Sequence, residues 1–193
     1  SYKFELSHST FTNYKGPSSF ISCILNENNL QPKVTNCTFS KSEQRIDFES
    51  GEGVTGTGSS IIFSNCHFTE NTGDLENGLG VIQNEYIKSE IVTFDKCVFD
   101  KNKGQSIRQG DDPRCNTFIV KCNFTNNVGT DGCAIYVIYP YKKPNYKIII
   151  QDCLFMKNRA TGPSGLRGCV RIDTHCVEFR GHNQFISNEI ILT

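Results

Sequence analysis

The stretch Ile61 to Asn71, reading I-I-F-S-N-C-H-F-T-E-N, most constrains what this chain can fold into. Ile61 and Phe63 are two apart, and so are Cys66 and Phe68, so each pair shares one face of a strand. The parity of the second pair is shifted by one from the first. A single straight strand cannot bury all four, so the chain must bend at Ser64-Asn65, where Asn suits a turn, and Asn71 marks a second bend. Two short strands separated and followed by corners describe a coil rather than a hairpin.

The pattern returns along the chain, with its key phenylalanines at 11, 39, 68, 99, 124, 155 and 185, in steps of 28, 29, 31, 25, 31 and 30. Cysteine stands two places before five of these, at 37, 66, 97, 122 and 153, and asparagine three places after five, at 71, 102, 127, 158 and 188. A near-constant period in this range is the signature of a solenoid. Between one Phe and the next copy there is room for a third strand, with candidates at Cys23-Ile24-Leu25, Arg45 to Phe48, Gly80-Val81-Ile82, Ser106-Ile107-Arg108, Cys133 to Val137 and Cys169 to Ile172. The expected fold is all-β: a single right-handed parallel β-helix of about six to seven rungs of about 29 residues, with three short strands per rung. The hand follows from the general preference of parallel crossovers. In such a coil Phe stacks on Phe as core, Cys fills space beside it as a small apolar group, and Asn turns the corner in left-handed backbone angles with its amides hydrogen-bonded along the axis.

The copies run from Phe4 to Asn188, so residues 1–193 form one repeat domain. The chain opens in a repeat strand and stops in the apolar Ile190-Ile191-Leu192 rather than in polar capping units, which predicts a fragment of a longer array. Twenty basic and twenty acidic residues balance to zero net charge, with no basic run that would form a nucleic-acid face. No apolar stretch reaches membrane-spanning length, and no signal-peptide or lipidation pattern is present.

The F-x-x-N copies Phe68 to Asn71, Phe99 to Asn102, Phe124 to Asn127, Phe155 to Asn158 and Phe185 to Asn188 resemble the repeats of polymorphic outer-membrane proteins, in which F-x-x-N alternates with G-G-A-I. Gly132-Cys133-Ala134-Ile135 is similar to a G-G-A-I with Cys in its second place, and Gly168-Cys169-Val170 is a looser version. Most G-G-A-I copies are missing here, and the chain is richer in Cys. The resemblance implies a right-handed pectin-lyase-like β-helix and, by analogy, a surface or adhesive passenger.

Glycan-cleaving β-helices hold acids, bases or metal ligands on neighbouring rungs of one face, because these groups must converge on one bond. Asp111-Asp112 and Gly181-His182-Asn183 look like two pieces of a pectin-hydrolase-like site, but they lie more than two rungs apart. No carboxylate cluster suits a calcium-dependent lyase, and ten Cys and four His form no C-x-x-C and no His-x-x-x-His pair. Neither a catalytic residue, a cofactor nor a metal is therefore expected. The outward places of the first strand (Glu5, Lys33, Ile62, Thr93, Phe118, Ile149 and Glu178) hold an apolar stripe at Ile62, Phe118 and Ile149, expected to be covered by a loop, a partner or another copy.

Three further sets of candidates remain. The Tyr139 to Tyr146 loop offers Tyr139, Tyr141, Lys142, Lys143 and Tyr146 as contact residues for a partner. Cys133 and Cys169 occupy what read as matching places on adjacent rungs and are the best disulfide pair. Asn36-Cys37-Thr38 and Asn123-Phe124-Thr125 fit the N-glycosylation sequon. The expectation is a non-catalytic surface or extracellular module, a structural or adhesive scaffold, whose partner is a protein, a glycan or further copies of an assembly. A carbohydrate-active fragment and a structural component of a larger intracellular filament or complex are the alternatives.

Overall fold

A computed structural model of the chain describes residues 4–15, 21–25, 29–43, 46–50, 58–73, 81–85, 91–110, 115–138, 146–161, 168–173 and 177–191. Their regular structure is entirely β, and every strand pairing is parallel. The first sheet stacks seven strands in chain order: Glu5–Ser7, Lys33–Thr35, Ser60–Ser64, Ile91–Asp95, Asn116–Val120, Ile148–Gln151 and Val177–Arg180. The second sheet stacks the seven strands that follow these around the first corner: Thr10–Thr12, Thr38–Ser40, His67–Thr69, Val98–Asp100, Asn123–Thr125, Leu154–Met156 and Gln184–Ile186. The third has six strands, Ile21–Leu25, Ile46–Ser50, Ile82–Glu85, Ile107–Gly110, Ile135–Ile138 and Val170–Asp173, each overlapping one of the weak third-strand candidates of the sequence. The chain is a parallel β-solenoid.

Three strands per rung is nonetheless incomplete. A fourth, shorter sheet joins Val128–Gly129, Arg159–Thr161 and Glu189–Ile191, and single bridges extend it through Lys103 to Thr72. It begins directly after each Asn, where a run of two or three residues is too short to carry an alternating pattern.

Register puts like on like. Phe11, Phe39, Phe68, Phe99, Phe124, Phe155 and Phe185 form one continuous stack, with ring centroids 4.7–5.2 Å apart and planes within 10° of parallel. Phe63 and Phe94 form a shorter stack on the first sheet, 5.1 Å apart, and meet Phe68 and Phe99 edge-on at 6.1 and 6.3 Å. Offset and edge-on contacts of this kind add to the roughly 1.5–3 kcal/mol that burying each ring contributes. Ile46, Ile82, Ile107 and Ile135 close the core from the third sheet.

The corners correct the role expected of asparagine. In the second corner the left-handed residue is the one before it: Glu70 at φ 58°, Lys101 at 53°, Asn126 at 55° and Lys157 at 55°. In the first corner it is Asn36, Asn65, Lys96, Lys121 and Asp152, all at 52–54°. Such angles cost an L-residue roughly 1–2 kcal/mol, with glycine exempt and asparagine better suited than most. Hydrogen bonding continues through each corner, as from Asn65 N–H to the Asp95 carbonyl at 2.9 Å and from Lys101 N–H to the Thr125 carbonyl at 3.0 Å. Asn71, Asn102, Asn127 and Asn158 instead turn inward and are buried.

Candidate functional site

The residue types with most chemical potential, the thiols and amides of the motif, are engaged in the interior. The Asn71 amide donates to the Phe39 carbonyl at 2.9 Å, Asn102 to Phe68 at 2.9 Å, Asn127 to Phe99 at 2.9 Å and Asn158 to Phe124 at 2.8 Å. Each Oδ1 accepts the backbone N–H of the residue one rung back, in the series Ser42, Asn71, Asn102 and Asn127 at 3.0–3.1 Å. Buried polar groups in a coil interior must be paired, and this column pairs them rung to rung.

The cysteines are more than the small apolar fillers expected. Each ladder thiol lies within sulfur hydrogen-bond range of two carbonyls, one in its own rung and one in the rung before. Cys66 reaches Ser64 at 3.4 Å and Val34 at 3.3 Å, Cys122 reaches Val120 and Phe94 at 3.4 Å, and Cys153 reaches Gln151 and Ile119 at 3.3 Å. Ser9 makes the same-rung bond with its hydroxyl, to Ser7 at 2.9 Å, and the Asn183 amide serves both directions, to Arg180 at 2.9 Å and Ile150 at 3.1 Å. Ser, Cys and Asn therefore share one job there: donating a hydrogen to a corner carbonyl.

Cys133 and Cys169 are both buried and both free. Ile135 pairs with Val170, and Ala134 N–H donates to the Cys169 carbonyl at 2.9 Å, so Ala134 rather than Cys133 stands opposite Cys169. The two cysteines stand one place out of register, and both thiols are free rather than joined in the expected disulfide. Burial pushes the Cys133 thiol up to about 12 and Cys169 to about 11, which makes both poor nucleophiles. Cys115, also pushed up to about 12 by burial, sits in an interior polar cluster where Gln109 donates to it at 2.9 Å and Thr117 donates to Gln109 at 2.9 Å.

A group of charged side chains lies on the third sheet. Register aligns Asp47, Gln83, Arg108, Tyr136 and Arg171 in one row. The Arg108 and Arg171 guanidiniums flank the Tyr136 ring at 5.3 and 5.2 Å from its centroid, and Arg171 pairs with the buried Asp131. Stacked cation–π contacts clamp three consecutive rungs. Tyr136 is itself buried, and the Asp131 carboxylate is held by Arg171, so the group is built as a clamp rather than as an acid and a base facing a common substrate. Sequence reasoning missed it because Arg108, Tyr136 and Arg171 share no motif; the usable signal was the outward place of the third strand, read down the register.

The remaining candidates separate. Tyr139, Tyr141, Lys142 and Lys143 lie outside the described residues, as do Asp111 and Asp112, while Tyr146 is half-buried. Asn36 and Asn123 are both exposed, Asn36 on a left-handed corner and Asn123 at the start of a second-sheet strand. Gly181-His182-Asn183 is a corner: His182 N–H donates to Asp152 at 2.8 Å, which holds that carboxyl below the usual range, and Asn183 caps carbonyls. The stripe of Ile62, Phe118 and Ile149 is half-buried at Ile62 and Phe118, and Ile149 is buried outright. Among the described residues no three His, Cys, Asp or Glu side chains group as metal ligands, and no helix is long and apolar enough to cross a membrane.

Comparison with family models, with curated proteins and with solved structures returned no match, so the likeness to polymorphic outer-membrane repeats rests on the motif residues alone.

Proposed function

We propose that this chain is a non-catalytic scaffold module, a β-solenoid rod that presents its side faces to a partner at a cell surface or outside the cell. One observation carries the reading: the thiols and amides that recur in the motif are engaged with backbone carbonyls inside the coil, which assigns them to building the rod. The exposed asparagines Asn36 and Asn123 suit a glycosylated surface.

The test is incubation with polygalacturonate and with neutral glycans, with and without calcium, reading new reducing or unsaturated ends. The expected result is no release above a boiled control. Release that survives purification and disappears in Asp111→Ala would overturn the scaffold reading in favour of a carbohydrate-active β-helix.

A further inference from the structure

The step from Phe99 to Phe124, at 25 residues, is the shortest between motif phenylalanines, and its core holds a group of polar side chains. Gln109 stands inward on Ile107–Gly110, in the column of Asn84 and Val137. Thr117 stands inward on Asn116–Val120, in the otherwise apolar column of Ile61, Val92 and Ile148. Cys115 directly precedes that strand, and all three side chains are buried.

The three are arranged as an acyl group, a nucleophile and a hydrogen-bond donor. Gln109 Nε2 lies 2.9 Å from Cys115 Sγ, nearer than the 3.3–3.6 Å at which the ladder thiols meet their carbonyls. One amide bond of about 1.33 Å separates Nε2 from Cδ, so Sγ lies within about 4.2 Å of that carbon. Thr117 Oγ1 donates to Gln109 Oε1 at 2.9 Å and lies 3.8 Å from Cys115 Sγ. A donor at that oxygen polarises the carbonyl and stabilises the negative charge that Oε1 gains when Cδ is attacked. Groups held together in this way react at effective concentrations on the order of 10⁵ M or more.

We infer that Cys115 and Gln109 join in an internal thioester. The Sγ–Cδ bond forms, the Cδ–Nε2 bond breaks, and the thiol proton passes to Nε2, which leaves as ammonia. Atoms and electrons balance without an oxidant or a cofactor. Burial keeps the Cys115 thiol protonated, so its proton travels with the attack instead of being lost beforehand. The same burial shields the product from hydrolysis. In the structure the thiol is free. Once joined it no longer titrates, and Cys133 and Cys169 are left to carry the alkaline loss of stability. The acyl group stays transferable to a primary amine, which would gain an amide bond to Gln109 Cδ and release Cys115. The bond closes once and turns nothing over, so the inference goes beyond the scaffold reading and does not depend on where the rod acts.

The experiment is intact mass spectrometry of the purified chain, with methylamine as probe. The parent is expected below its sequence mass by one ammonia. After reduction with a phosphine, which leaves thioesters untouched, iodoacetamide in neutral urea should label one thiol fewer than the ten cysteines. Methylamine should add at Gln109, located by peptide mapping, and return the missing thiol. Its uptake should be slow in native buffer and fast in urea. Cys115→Ala and Gln109→Ala should keep their full sequence masses and take up no methylamine. Thr117→Val, matching Val92 in the same column, should melt close to the parent yet lose ammonia on the order of a hundredfold more slowly. A parent at full sequence mass with ten labelled thiols would overturn the inference. So would ammonia loss that leaves all ten thiols free, which would place an ester between Thr117 and Gln109, or ammonia loss that persists in Cys115→Ala.

Discussion

Asn127 holds its neighbour Asn102 twice: its Oδ1 accepts the Asn102 backbone N–H at 3.0 Å and the Asn102 Nδ2 at 3.1 Å. Its own Nδ2 reaches both the Phe99 carbonyl and Asn158 Oδ1, at 2.9 Å each. One side chain thus ties three rungs together in a region without water access, where an unpaired donor or acceptor is costly.

Replacing Asn102 by Ala should leave the Asn71 N–H and the Phe68 carbonyl short of a partner in the buried column, and each such orphan costs about 1–3 kcal/mol. Asn188 makes the equivalent bonds to Asn158 and Phe155 but is half-exposed, so water can substitute there. Urea denaturation should show a clearly lower midpoint for Asn102→Ala than for Asn188→Ala. Coincident midpoints would contradict a buried amide column.

Phe99 lies 4.8 Å from both Phe68 and Phe124 and is fully buried, so Phe99→Ala should cost roughly 3–5 kcal/mol through the cavity it leaves. Phe185 has one stacking neighbour and is 51% exposed, and its truncation should cost markedly less. Asp95, outward on the first sheet, should tolerate Ala with little change. Thermal melts of the three variants check the order.

Burial raises the thiols of Cys115 and Cys133 to about 12 and of Cys169 to about 11. In the unfolded chain a thiol ionises near ~8.5. Above that pH the unfolded state has lost protons that the native state keeps, so the stability these groups contribute is fully present below pH ~8.5 and falls as pH rises toward 11–12. Unfolding free energy measured between pH 7 and 10 should decline, and a Cys115→Ala/Cys133→Ala variant should decline less steeply. Identical slopes would remove the thiols from the explanation.

Arg171 pairs with Asp131, their side chains only 17 and 10% exposed, so removing one charge and leaving the other should cost about 3–5 kcal/mol. Arg171→Ala also removes one of the two guanidiniums stacked on Tyr136, whereas Tyr136→Phe keeps a ring between them. A double-mutant cycle on Arg171 and Asp131 should return a substantial coupling energy, and Tyr136→Phe should be mild. Additive losses at 171 and 131 would mean the ion pair does not hold the rungs.

The sequence by itself determined the coil. Phe, Cys and Asn recurring about 29 residues apart forced parallel, in-register stacking, because that arrangement lays each residue on its own kind and buries the motif Phe of the middle rungs. The third strands were legible as well, at Ile46, Ile82, Ile107 and Ile135, since each had to close the same core. Only the tertiary structure decided what each repeated residue does within that frame. Left-handed angles fell to Glu70, Lys101 and Lys157 rather than to the Asn that follows each, because burying the amide gains hydrogen bonds to neighbouring rungs that no single copy displays. Cys133 and Cys169 missed one another by one place in register, a distinction that spacing across loops of unequal length cannot encode. Arg108, Tyr136 and Arg171 became neighbours for the converse reason: stacking brings together residues with no motif in common, and their contact exists only once the rungs are laid on one another.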